Sequence, residues 1–416
     1  MHDRTASRRL ALQRLVEFAG PGEPVSVRPH EGVGLVLAET ARAACAVPEA
    51  ACSLRDGYAV RWEDVRAASA ASPVRLTIAQ TVHAESAPTS SLGPGECARI
   101  LTGGRLPAGG DAVAPEEDVT QGDATKDGGT ILVQQPLRPS CFVRATGDEI
   151  EQGAAVINAR EVVTPQAAAV LARSRAAAIR VFPRPTASVL ALGSELFDPF
   201  DATPSSDETR FPADNLVLLS GLLEKGGVEV RSAHILPDVR DLLTTALTVD
   251  DLPDVVITTG GTGRSERDFA RSGAERAGFE MVVDHVDIRP GWNMFVARRD
   301  GTLLFCLPGP PAAGFACFHA VILPTLRRLR GAPEPLTPAM ARLTSGLSAK
   351  PGGEWLVPVE LRWAGSVREA SPMVRDLPAM LAMARADALA VIPPSSAISA
   401  GEDVEILLIG GAGDKS

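Results

Sequence analysis

Residues 254–268 read Asp254-Val-Val-Ile-Thr-Thr-Gly-Gly-Thr-Gly-Arg-Ser-Glu-Arg-Asp268. An unbroken β-branched run that enters three glycines marks a buried strand and the turn at its carboxyl end. A helix is expected next, from Arg267 to Ala277. The same alternation extends both ways. Ser188–Gly193, Val228–Arg231 and Leu303–Leu307 read as strands, and Asn215–Lys225, Val239–Val249 and Ala312–Arg330 as helices. Leu216, Leu219, Leu222 and Leu223 give the first helix an apolar face, and Gly226-Gly227 end it. Strand–helix alternation at this spacing predicts a doubly wound parallel sheet over residues 185–331.

Outside that unit the texture changes. Arg8–Phe18 has helical spacing behind Ser7 as cap. From 29 to 150 short β-rich runs (Val74–Ile78, Cys97–Leu101, Thr130–Gln134) alternate with Gly, Pro, Asp and Ser, and 121–129 is a polar hairpin or loop. Thr164–Arg175 is an alanine-rich helix. Gly331-Ala-Pro-Glu-Pro marks a boundary, and the short β runs beyond it predict a small barrel. The chain is therefore read as multidomain α/β. Residues 1–28 with 151–184 form a helical linker unit, 29–150 a mostly-β insert, 185–331 the doubly wound domain and 336–416 a carboxyl-terminal β-barrel.

The 416 residues carry 51 Asp+Glu against 41 Lys+Arg, a net charge of −10, with 45% hydrophobic residues. That balance describes a folded chain and disfavours binding to nucleic acid or anionic lipid through cation–phosphate attraction. No secretory pattern opens the sequence, so a cytoplasmic protein is expected. Thr302–Leu326 lacks charge, but Pro308, Pro310 and Pro311 break it and Pro324 is expected to kink its end, so strand, turn and buried helix are favoured over a membrane span. The six cysteines form no C-x-x-C pair and are expected to be reduced packing residues. Only four of the basic residues are lysine (Lys126, Lys225, Lys350, Lys415), so arginine is expected where a relative has lysine.

In an open parallel sheet, ligands gather at the carboxyl ends of the strands. Gly260, Gly261 and Gly263 would let backbone N–H groups approach an anion there. The loop has neither the Gly-Lys-Ser/Thr of a P-loop nor the third glycine of the dinucleotide fingerprint, and a tight turn also explains it. Glu195 and Asp238 follow two further strands, and Asp268 lies past the glycine loop. Each alone could be a helix cap or turn residue. Carboxylates converging on one edge beside a phosphate ligand suit Mg²⁺. Three more glycine turns, Arg55–Val60, Leu101–Pro107 and Phe142–Glu149, carry polar residues that hairpin chemistry alone would accommodate.

In order, these segments resemble the MoeA family, the molybdopterin molybdenumtransferases, which include the carboxyl-terminal domain of gephyrin. Arg55-Asp-Gly-Tyr-Ala59 is similar to the family's Met-Asp-Gly-Tyr-Ala, and Arg99-Ile-Leu-Thr-Gly103 with Pro107–Val113 to its Arg-Ile-Met-Thr-Gly and Pro-x-Gly-x-Asp-Ala-Val. Arg144–Ile150, Leu192-Gly-Ser-Glu-Leu196, Asp238, Thr259–Asp268, Arg289-Pro-Gly-Trp-Asn293 and Leu307-Pro-Gly-Pro-Pro311 match further motifs. The likeness runs from about residue 8 to 395, nearly the whole chain.

The resemblance implies a molybdopterin-binding type of doubly wound domain and an elongated homodimer, in which that domain faces the partner's β domain across the active cleft. It implies Mg²⁺-dependent insertion of molybdate into adenylylated molybdopterin with release of AMP. Other proteins of molybdenum cofactor biosynthesis are implied as partners, with no role for nucleic acid or membrane. By the same resemblance Asp56, Glu195, Asp238 and Asp268 are catalytic, the last three also holding the metal. Thr102, Arg144, Asp148, Glu149, Gly260, Gly261, Gly263, Arg289, Pro308 and Pro311 would bind substrate.

Departures cluster at the anion pocket. Where the family has Lys-Pro-Gly-Lys-Pro, Arg289 replaces the first lysine and Trp292 the second. Pro310 replaces an asparagine, Ala313 a serine, and Gly352–Pro358 lacks two family arginines. Unless other arginines substitute, oxyanion capture is expected to be weak. Thr259-Gly-Gly-Thr-Gly263 also resembles the related molybdopterin adenylyltransferases. Two alternatives therefore stand beside the transferase: a nucleotidyl- or phosphoanhydride-handling enzyme on the same fold, and a noncatalytic pterin-binding assembly protein.

Overall fold

The Val255–Thr259 strand is buried at every position, as its uninterrupted apolar run requires. It lies at the centre of a six-stranded sheet in the order Glu229–Leu236, Thr186–Leu192, Val255–Thr259, Thr302–Leu307, Phe295–Arg299, Glu280–Val283. In this computed structural model, residues 5–122, 128–201, 209–262, 269–333 and 338–409 are described.

The first four strands pair in parallel and the last two pairings are antiparallel, so Phe295–Arg299 alone runs against the other five. The sheet is thus mixed, a correction to the all-parallel expectation. Phe295–Arg299 turns into Thr302–Leu307 through Asp300-Gly301, a hairpin too short for a helical crossover. Both faces are covered. Leu216, Leu219 and Leu223 of the Asp214–Lys225 helix pack on one side, and Leu243 and Leu247 of Arg240–Leu247 with Ala270 and Ala274 of Ala270–Arg276 pack on the other.

The helix expected over 312–330 runs as Pro311–Cys317, a π-helical turn over Phe318–Ile322, and Leu323–Leu329. Pro324 cannot donate a helix hydrogen bond, and the π-helical turn directly precedes the helix that holds it. Among the described residues no helix is long and apolar enough to cross a membrane.

The insert is a six-stranded sheet ordered Val119–Gln121, Thr130–Val133, Val74–Val82, Glu96–Ile100, Gly57–Val60, Ala112–Pro115. Residues 123–127 of the polar connection lie outside the described residues. Beyond the Pro165–Arg173 helix, which Thr164 caps, the linker region forms a three-stranded sheet of Val25–Val27, Ile179–Phe182 and Val36–Leu37. Residues 5–19, expected with that linker, lie elsewhere: Ala6, Ala11, Leu15 and Ala19 join the core of the doubly wound sheet.

The carboxyl-terminal unit closes as a five-stranded barrel. Glu354–Ala364 pairs with Val367–Pro372, then Ala339–Leu343, Asp403–Leu408 and Ala388–Ile392 follow, the last pairing back on the first. Arg8 ties the amino-terminal helix to this barrel through ion pairs of 2.7 Å to both Glu354 and Glu405.

Candidate functional site

The parallel strands place their carboxyl ends side by side, and the chain leaves each through a polar turn. Gly193 N–H donates to the Leu236 carbonyl at 3.0 Å, joining the ends of Thr186–Leu192 and Glu229–Leu236. Ser194 and Asp238 then bond reciprocally: Ser194 N–H donates to Asp238 Oδ2 at 3.2 Å, and Asp238 N–H to Ser194 Oγ at 3.1 Å. Glu195 is exposed beside this pair. The expected convergence of Glu195 and Asp238 on one edge is therefore built by backbone bonds between neighbouring strands. Asp268 and Gly263 lie outside the described residues.

Gly260 and Gly261 both adopt the left-handed conformation, with φ of +89° and +63°. A Cβ on Gly260 would stand 2.7 Å from the Leu192 carbonyl oxygen, so the close approach of two strand ends requires glycine there. Gly260 N–H is already engaged, donating to the Leu307 carbonyl at 3.0 Å. An anion at this turn would have to use Gly261 and Thr262, whose N–H groups have no partner among the described residues.

Pro308 and Pro311 follow the fourth strand end. Pro310 and Pro311 open the next helix and contribute no N–H donor. Asn215 holds this turn by donating from Nδ2 to the Gly309 carbonyl at 2.7 Å, while its buried Oδ1 lacks a partner.

Arg289 lies outside the doubly wound sheet itself. It pairs in the short parallel ladder with Trp355 of the barrel, and its guanidinium lies over Gly352, where a Cβ would stand 2.2 Å from Nη2. Trp292 stacks on His285 with ring centroids 4.6 Å apart and planes 3° from parallel. The tryptophan at the family's lysine position is thus engaged in a ring stack with His285.

A second cluster forms on the insert. Asp56 accepts hydrogen bonds from both Thr102 N–H and Thr102 Oγ1, each 2.7 Å long. Thr102's N–H, and then its hydroxyl, hold the Asp56 carboxyl below the usual carboxylate range, so it works as an acceptor at neutral pH. Arg144 pairs with Glu149, and Asp148 Oδ2 lies 4.0 Å from Arg144 Nε. Thr102, Arg144 and Glu149 share the wall of one cavity. Among the described residues the sequence-derived ones therefore form a rim group and an insert group, with Arg289 on a third sheet beside the barrel.

Ser194 and Asn215 at the rim, and Glu49, Arg105, Arg173 and Arg175 at the cavity, were not named as site residues from the sequence. Ser194 had a signal, since it stands between the glycine and Glu195 in the motif itself. Arg105 had one too, inside the Leu101–Pro107 turn, whereas Asn215, Glu49, Arg173 and Arg175 stand in no such motif.

The donors at the rim are hard oxygen atoms, as Mg²⁺ prefers, but among the described residues no group of three or more His, Cys, Asp or Glu is assembled. Mg²⁺ commonly takes one or two carboxylates and completes its shell with water and substrate phosphate, so Glu195 and Asp238 fit that pattern. All six cysteines are free, and burial pushes Cys306 and Cys317 up to about 12, leaving them as protonated packing groups.

Three family profiles match the chain: the MoeA N-terminal region (domain I and II) over residues 5–174, the probable molybdopterin binding domain over 188–328, and the MoeA C-terminal region (domain IV) over 340–409. A molybdopterin molybdenumtransferase 2 of Mycobacterium tuberculosis is 30% identical over 351 residues, covering 82% of this chain and 84% of that protein. A molybdopterin molybdenumtransferase of Staphylococcus aureus is 28% identical over 407 residues, covering 96% and 94%. The crystal structure of a molybdopterin biosynthesis MoeA protein from a Pyrococcus species superposes with a TM-score of 0.83 at 28% identity, over 98% of this chain and 100% of that one.

Proposed function

The chain belongs to the molybdopterin molybdenumtransferase family, and from that premise we propose that it inserts molybdate into adenylylated molybdopterin with release of AMP, aided by Mg²⁺. The observation that carries the reading is the rim itself. Carboxylates on adjacent parallel strand ends, cross-tied by Ser194, stand beside a left-handed glycine turn whose Gly261 and Thr262 N–H groups have no partner among the described residues. That is the setting a phosphoanhydride requires.

In this reading Glu195, Asp238 and Asp268 hold Mg²⁺, which when bound offsets the charge of the phosphates. Gly261 and Thr262 orient the phosphates through their N–H groups, and Pro308 and Pro311 shape the adjoining wall. Asp56, kept ionised by Thr102, accepts hydrogen bonds from the substrate, and Arg144, Asp148 and Glu149 bind its far end. Arg289 acts from the barrel side, over Gly352. The two groups lie on separate sheets, which favours a homodimer in which each cleft takes one group from each subunit. The protein would work in the cytoplasm, with residues 20–28 and 151–184, 29–150, 185–331 joined by 5–19, and 336–416 as its four units.

The test is AMP release from adenylylated molybdopterin by the purified protein. Molybdate- and Mg²⁺-dependent release is expected, falling at least about a hundredfold in Asp238→Ala. No release at any molybdate or tungstate concentration would overturn the proposal. The packing of Trp292 on His285, where the family has a lysine, favours the binding-only alternative as second reading. Pterin binding without AMP release would establish it.

A further inference from the structure

A cavity of about 460 Å³ opens where the loop around residues 46–54, the Thr102–Arg105 turn and the end of the Pro165–Arg173 helix meet. Backbone bonds build its wall. The carbonyl of Ser174, fully buried, accepts from both Ala44 and Cys45 N–H at 3.1 and 3.0 Å. Ala176 N–H closes the helix onto the Leu171 carbonyl at 2.9 Å, with Arg175 in the left-handed conformation at φ +59°.

Four guanidiniums, those of Arg105, Arg144, Arg173 and Arg175, line this cavity against two carboxylates, Glu49 and Glu149. Glu49 is shared, at 3.6 Å from Arg105 and 2.5 Å from Arg175. Arg144 is taken by Glu149. Arg173 makes no ion pair among the described residues, although the chain as a whole is acidic, with net charge −10. Crowding a fourth guanidinium beside three others is unfavourable by itself, because like charges repel. Their arrangement is accounted for by an anion. Val47, Pro48 and Leu54 add an apolar wall, and the volume suits a small organic molecule better than a lone ion. A guanidinium fork matches phosphate oxygens two at a time.

The geometry points to a subsite in this cavity for the phosphate of a phosphate-bearing heterocycle. Arg173 and Arg105 are its main cationic donors, and Glu49 competes with the ligand for Arg105 and Arg175. The assignment deepens the proposed function and rests on it only for which heterocycle carries the phosphate. It supplies cations on the insert side, whereas Trp292 stands where the family has a lysine.

Calorimetric titration of the full chain with AMP, adenosine and inorganic phosphate tests this. AMP is expected to bind more tightly than either adenosine or phosphate alone. Arg173→Ala should weaken AMP about tenfold and leave adenosine unchanged, and Arg173→Lys should restore part of the loss. Glu49→Gln should tighten AMP several-fold by freeing two guanidiniums, an effect that loss of a purely structural ion pair would not give. Unchanged AMP affinity in both Arg173→Ala and Arg105→Ala, weaker AMP binding in Glu49→Gln, or phosphate binding as tightly as AMP would each overturn the subsite. AMP release assayed on the same preparations separates the two proposals. Wild-type turnover with AMP affinity indifferent to Arg173 sinks the subsite alone. Arg173-dependent affinity without wild-type turnover sinks the catalytic reading alone.

Discussion

His319 shows how far one side chain can depart from its ordinary chemistry. It is 3% exposed within the π-helical turn, edge-on to Phe315 and Phe318, and neither ring nitrogen has a partner. Burial, and then the charge of Lys225, lower its pKa from 6.5 to about 4. The folded state therefore binds the proton less readily than the unfolded chain. Stability is complete above about 6.5 and is lost as pH falls towards 4, by about 3 kcal/mol across that window. Denaturant titrations at pH 7 and pH 4.5 should show this slope in the wild type and a flatter one in His319→Leu. An equal slope in both would remove His319 as the cause.

At the scale of single elements, the glycine turn after Val255–Thr259 sets the geometry of the rim. Gly260 and Gly261 share the left-handed conformation but not their surroundings. A Cβ on Gly260 meets a backbone oxygen at 2.7 Å, whereas one on Gly261 meets the flexible end of Leu192 at 3.4 Å. Gly260→Ala is therefore expected to cost about 2–3 kcal/mol and Gly261→Ala about 1. Thermal unfolding of the two variants checks this, and equal losses would contradict the argument. The glycine turn was legible because a strand signal and a glycine cluster adjoin in sequence. The antiparallel edge of the sheet was not. Glu280–Val283 and Phe295–Arg299 are short and mixed in polarity, and no helix separates Phe295–Arg299 from Thr302–Leu307, so only their pairing identifies them.

For the whole molecule, the separation of the Asp56–Thr102 cluster from the rim carries the homodimer proposal. If each cleft combines the two groups from different subunits, Asp56→Ala and Asp238→Ala are complementary. Co-expressed, they should regain about a quarter of wild-type AMP release, since half the dimers are mixed and each holds one intact cleft. Activity no higher than either variant alone would place both groups in one subunit's site. Arg8, bridging the amino-terminal helix to Glu354 and Glu405, shows that the units are joined by contacts nearly the length of the chain apart.

The sequence by itself determined the alternation that makes a doubly wound domain, the β-rich insert and barrel, and the family, because these rest on local periodicity and short ordered motifs. Tertiary structure alone decided that residues 5–19 join the sheet's core, that Gly260 N–H is bonded to the Leu307 carbonyl, and that Arg105, Arg144, Arg173 and Arg175 line one cavity. The reason is physical. A residue's propensity acts over a few neighbours, whereas a site is a meeting of side chains whose distance in space has no relation to their distance along the chain.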